Sequence, residues 1–104
     1  MKITIDKEYD RVFTILTSQF LKKIRLSKKM TMKDVVGKID GLTESALQSY
    51  EIGRRTVPLS VLKALFKLYD LDYVETFSGL DKLAEKNMKK YNVDFSEITP
   101  IEFK

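Results

Sequence analysis

Between Leu42 and Pro58 the chain reads LTESALQSYEIGRRTVP, where compact polar side chains, helix signals and two adjacent arginines coincide. Thr43 can begin a helix by accepting from a backbone N–H two or three residues on. Ala46, Leu47 and Tyr50 then lie three and four apart on a face to be buried. Glu44, Ser45, Gln48 and Ser49 fall on the other face. Small side chains with both donors and acceptors suit hydrogen bonding to base edges in a groove wide enough for a helix. Gly53 tolerates the left-handed backbone that stops a helix. Arg54 and Arg55 follow directly, and paired guanidinium groups suit an anionic backbone.

Other chemistry is poorly supplied. The chain has no histidine and no cysteine, so Ser-His and Cys-His nucleophile pairs cannot form and zinc loses its usual ligands. No glycine-rich phosphate loop, GxSxG elbow or magnesium-spaced carboxylate cluster is present. The reading is of a non-enzyme with no catalytic residue, no metal and no cofactor. At 104 residues, 43% hydrophobic and 33% charged, the chain suits one globular domain with a single core. It lacks a run long enough to span a bilayer and a signal-peptide pattern, so the expected location is cytoplasmic, with no membrane partner.

The net charge of +4 is unevenly spread. Residues 1–21 balance three cations against three acids, residues 22–63 carry ten against four, and residues 64–104 carry six against eight. The excess therefore surrounds the Leu42–Pro58 stretch, as a phosphate-binding face requires. Solvation of lysine-rich helices accounts for the same excess equally well.

The remaining elements follow from periodicity. Tyr9, Val12, Phe13, Leu16, Phe20, Leu21 and Ile24 recur at helical spacing and predict a first helix from about Lys7 to Ser27. Residues 1–5 form either a short strand or a frayed arm. Thr31 opens a second helix to about Ile39, with Asp34 in the acceptor position of a capping box and Met30 and Val35 placed as a hydrophobic staple. Asp40-Gly41 supplies a turn, so two short helices flank a glycine turn. Leu59 to Tyr69 predicts a fourth helix, and Val74 to Tyr91 a fifth, with a break expected near Ser78-Gly79. Glu85 and Lys89 are spaced to pair on it. The residues around Pro100 suit an extended tail.

Taken in order, the arginine of LKKIR, the capped MTMKDVV, the turn DGLT, the string TESALQSYEIG, the pair RR and the leucine-rich helix after Pro58 resemble the lambda-repressor/Cro-like, XRE-type helix-turn-helix family. The resemblance covers about Phe20 to Tyr73. It implies an all-α, five-helix DNA-binding domain, here with an extended first helix and a helical or extended C-terminal tail. It also implies a third helix in the major groove, with Glu44, Ser45, Gln48 and Ser49 facing bases or nearby phosphates. Met32, Lys33, Thr43, Arg54 and Arg55 would take phosphate, and Arg25 would pair with Glu51 as a structural ion pair. The expected partner is double-stranded DNA carrying a pseudo-palindromic operator, bound by a homodimer, and the expected role is a transcriptional regulator, most simply a repressor.

This chain departs from the family pattern at several points. Glu44 stands where glutamine is common; it can accept from cytosine N4, or it can simply complement the helix dipole. Met32 replaces a common glutamine, Val36 a common alanine, and Asp40 lengthens the turn by one residue. Residues 1–19 and 74–104 flank the central segment of residues 20–73. Their apolar positions, among them Tyr9, Phe13, Leu16, Leu83, Met88, Tyr91, Phe95, Ile98, Ile101 and Phe103, suit packing of the two ends on each other. The same positions suit either a dimer seam or cover for the chain's own core. Two rivals remain open. One is an antitoxin or adaptor whose C-terminal segment captures a protein partner, and the other is a helix-turn-helix fold that no longer binds DNA.

Overall fold

The Asp6 carboxylate accepts from the backbone N–H groups of Glu8 (3.0 Å) and Tyr9 (3.3 Å) and so starts the first helix. This helix, α1, runs Lys7–Ser27. The computed structural model describes residues 2–86, and among these are four further helices: α2 Met32–Val36, α3 Glu44–Glu51, α4 Leu59–Leu68 and α5 Tyr73–Lys86. Residues 2–6 form no strand, and Ile3 and Ile5 are exposed. The predicted tail, its apolar positions from Met88 onward and the Glu85–Lys89 pairing lie outside the described residues.

One core joins all five elements. α1 contributes Val12, Leu16, Phe20, Leu21 and Ile24; Val35, Leu47 and Tyr50 come from α2 and α3. Leu62, Leu65 and Phe66 of α4, with Tyr69 just beyond it, meet Leu80, Leu83 and Ala84 of α5. Each of the Val, Leu, Ile and Phe side chains stabilises the fold by about 1.5–3 kcal/mol on full burial. Aromatic rings run in series through the packing: Tyr9 on Phe13 (5.8 Å between centroids), Phe13 on Phe77 (5.4 Å), Phe77 on Tyr73 (5.9 Å), Tyr73 on Phe66 (5.8 Å) and Phe66 edge-on to Phe20 (6.2 Å). The Tyr9 hydroxyl donates to the Asp81 carboxylate, closing α5 onto the first turns of α1. Burial and then this carboxylate push the Tyr9 phenol above its ordinary value.

Helix ends are held by specific bonds. Thr31 and Asp34 form a reciprocal capping box, Thr31 N–H donating to Asp34 Oδ2 (2.8 Å) and Asp34 N–H to Thr31 Oγ1 (3.1 Å). α2 stops at Val36, three residues short of the expected end. Glycine at position 37 disfavours helix continuation, and the next bond, Lys38 N–H to Val35 O, already spans only three residues. α5 continues through Ser78-Gly79 without the expected break, since Thr76 and Leu80 on either side are buried in the core.

Three helices close alike, and only α3 does so with glycine. Gly53 at φ +76° donates to Tyr50 O (3.2 Å) and Arg54 donates to Ser49 O (3.0 Å), the paired bonds of a Schellman end. α1 repeats this with Lys29 at φ +57°, where Lys29 N–H reaches Leu26 O (3.0 Å) and Met30 N–H reaches Arg25 O (3.2 Å). α4 repeats it with Asp70 at φ +59°, through Asp70 N–H to Lys67 O (3.2 Å) and Leu71 N–H to Phe66 O (2.8 Å).

Candidate nucleic-acid interface

Leu47 and Tyr50 anchor α3 in the core, and Ala46 is half-buried beside them. The opposite side of the helix is thereby turned outward. Glu44, Ser45 and Gln48 are exposed, and Ser49 is half-buried. Thr43 is the N-cap, as its residue type and place in the sequence imply, its Oγ1 accepting from Ala46 N–H at 3.1 Å. That bond uses an oxygen lone pair and leaves the hydroxyl proton able to donate outward.

The arginine pair is fixed to this helix through the backbone. Ser49 O accepts from both Arg54 N–H (3.0 Å) and Arg55 N–H (3.3 Å), so both cationic residues start from the last turn of α3. Both side chains are exposed. The Arg55 guanidinium lies over the Tyr50 ring, 5.3 Å from its centroid, an attraction of about 0.5–1 kcal/mol at an exposed site. Gly53 between them has little freedom: a Cβ there would lie 3.3 Å from Ser18 Oγ on α1.

Beneath α3 lies the Arg25–Glu51 pair. Arg25 Nε donates to Glu51 Oε2 at 2.8 Å and Nη2 to Oε1 at 2.9 Å, while Nη1 donates to Met30 O at 2.9 Å. The two side chains are 9% and 1% exposed. The hydrogen-bonded carboxylate holds the guanidinium above even its ordinary high value, against the opposing effect of burial. Tyr69, also buried, has a hydroxyl with no hydrogen-bond partner. Its phenol is pushed up, first by burial and then by the Glu51 charge.

α2 presents Lys33 to solvent, whereas Met32 is half-buried and packs against the core. A thioether so placed has no donor for phosphate, which leaves Lys33 as the side chain of that pair able to reach one. Two cations that sequence spacing does not connect to α3 lie nearby. The early turns of α1 bring Lys7 and Arg11, with Asp10 and Thr14, to a shallow depression shared with Gly53, Arg54 and Thr56. Thr14 and Thr56 link its two sides, their Oγ1 atoms 3.3 Å apart. The signal available was the i, i+4 spacing of Lys7 and Arg11, but nothing local relates either residue to Arg54.

Among the described residues no helix is long and apolar enough to cross a membrane. No curated protein and no solved structure matches the chain. The helix-turn-helix family model matches residues 21–75, just over half of the sequence, from the middle of α1 into the start of α5. The match contains the capped α2, the glycine turn, α3 with its outward polar face, and the arginine pair, and with it the chain belongs to the lambda-repressor-like, XRE-type helix-turn-helix family of DNA-binding regulators.

Proposed function

We propose that this chain is a sequence-specific regulator of transcription that binds double-stranded DNA through α3 and acts as a repressor by occupying an operator. The observation that carries the reading is the backbone clip at Ser49 O, which sets two exposed arginines at a fixed offset from an exposed polar helix face. Base reading and phosphate grip are then parts of one rigid unit. Glu44, Ser45, Gln48 and Ser49 face base edges, Glu44 as an acceptor for cytosine N4 and Gln48 as a donor and acceptor for adenine. Lys33, Thr43, Arg54 and Arg55 take phosphate, with Lys7 and Arg11 extending the grip along α1. A cytoplasmic homodimer would set two copies of α3 in major grooves about 34 Å apart on a pseudo-palindrome.

Selection of bound duplexes from a random pool tests this directly. The expected outcome is a recurrent pseudo-palindromic sequence whose affinity falls steeply with salt. A pool that stays random, with no preference over nonspecific duplex, overturns it.

A further inference from the structure

α3 turns one large apolar side chain into the middle of its polar face. Ile52, the residue that closes the helix, is 55% exposed and belongs to no part of the core. Its N–H donates to Gln48 O at 3.1 Å, so the position keeps the register of the helix. Ile52 therefore stands one turn beyond Gln48 and Ser49 and two turns beyond Ser45, on the side away from Leu47 and Tyr50. Among the described residues, no other exposed large hydrophobe lies between Leu26 and Leu59. A lone exposed apolar residue is ordinary on a protein surface. This one is set apart by its place, in line with the outward polar side chains and two residues before the exposed arginine pair.

The polar surroundings narrow what can cover it. A stable protein–protein contact buries about 800 Å² on each partner, and a single isoleucine tip among hydroxyls and an amide offers only a small part of that. The C5-methyl of thymine is of matching size, and it is an apolar group that base edges present in the major groove. α3 has eight residues. At about 1.5 Å per residue it spans about 12 Å, the width of that groove, so its last turn as well as its first stays within reach of base edges. We propose that Ile52 is a specificity-determining residue that packs on a thymine methyl beyond the base pair read by Gln48. This role rests on the DNA reading above. It adds an apolar contact to a face whose other members act by hydrogen bonding.

The test uses the full chain, an operator selected from the random pool, and duplexes in which each thymine in turn is replaced by deoxyuridine, which lacks the methyl. Fluorescence anisotropy should find a thymine in each half-site whose replacement weakens binding about fourfold, the loss expected for one buried methyl. In Ile52→Ala the same replacement should change affinity by less than about 1.5-fold, while the salt slope and the melting temperature match the parent. The assignment is overturned if no thymine is methyl-sensitive, or if that thymine stays as sensitive in Ile52→Ala. A loss in Ile52→Ala of equal size on thymine and uracil duplexes also overturns it and points instead to a contact between copies. Methyl-independent binding to a recurrent operator removes the role of Ile52 alone, whereas failure to select any operator removes the DNA reading and this role together.

Discussion

Arg25 and Glu51, 26 residues apart, meet in a two-pronged ion pair beneath α3, with a third guanidinium bond to Met30 O. α1, the α1–α2 loop and the end of α3 thus share one buried charge pair.

Removing one partner leaves the other charged and buried. Glu51→Ala or Arg25→Ala should therefore cost about 3–5 kcal/mol, whereas Arg25→Met combined with Glu51→Leu should recover most of that loss. Urea unfolding of the two single variants and the double variant measures the coupling. Tyr69→Phe, which deletes the unpartnered hydroxyl nearby, should be neutral or stabilising by up to about 1 kcal/mol.

Asp34 accepts from Thr31 N–H, and this bond first, with the adjacent Thr31 hydroxyl second, holds its carboxyl below the usual carboxylate range. A carboxyl depressed in the folded state contributes stability that is complete above its unfolded value, about 3.9, and disappears as pH falls through the folded value. Asp34→Asn should accordingly destabilise the protein at neutral pH and flatten the acid limb of its stability profile. Parallel limbs for parent and variant would show that the cap carries no charge-dependent stabilisation.

The left-handed helix ends make a prediction of opposite sign for different residues. Lys29→Gly and Asp70→Gly should each raise stability by about 0.5–1 kcal/mol, because glycine accepts their positive φ without the Cβ penalty. Gly53→Ala should lower it by at least about 1 kcal/mol, since the Cβ adds both strain at φ +76° and a tight contact with Ser18. Thermal melts of the three variants separate the effects.

On DNA, Ser45→Ala or Gln48→Ala should relax sequence choice at one base pair by about 1–3 kcal/mol. Arg54→Ala should instead weaken binding to every duplex and reduce the salt slope by about one, and Lys7→Ala or Arg11→Ala should do the same if α1 joins the grip. Anisotropy titrations at three salt concentrations distinguish the two patterns. An unaltered slope in Arg54→Ala removes the phosphate assignment.

What could be read from sequence was mostly local. Thr31 with Asp34, Thr43, Gly41 and Gly53 act within one turn of chain, and the apolar spacing of α1 is long enough to define both ends of that helix. The outward placement of Glu44, Ser45 and Gln48 follows from the same periodicity once Leu47 and Tyr50 are buried. Arg25 and Glu51 were linked by family resemblance, since no spacing rule joins residues so far apart. The left-handed backbone at Lys29 and Asp70 was not legible, because lysine seldom adopts positive φ and aspartate does so only occasionally. Met32 looked like a surface position of a phosphate-facing helix until the core claimed part of its thioether.

The seating of α5 on the opening turns of α1, pinned by Tyr9 and Asp81 across 72 positions, bears on where the molecule can be cut. The family segment begins inside α1 and ends three residues into α5, so excising it would leave Phe66 without its ring neighbour Phe20 and Tyr73 without Phe77, and strip Val12 and Leu16 from the core. What descends through the family as a module is thus smaller than what folds as a unit. A fragment trimmed to residues 21–75 should lose cooperative melting, whereas one spanning residues 6–86 should keep it.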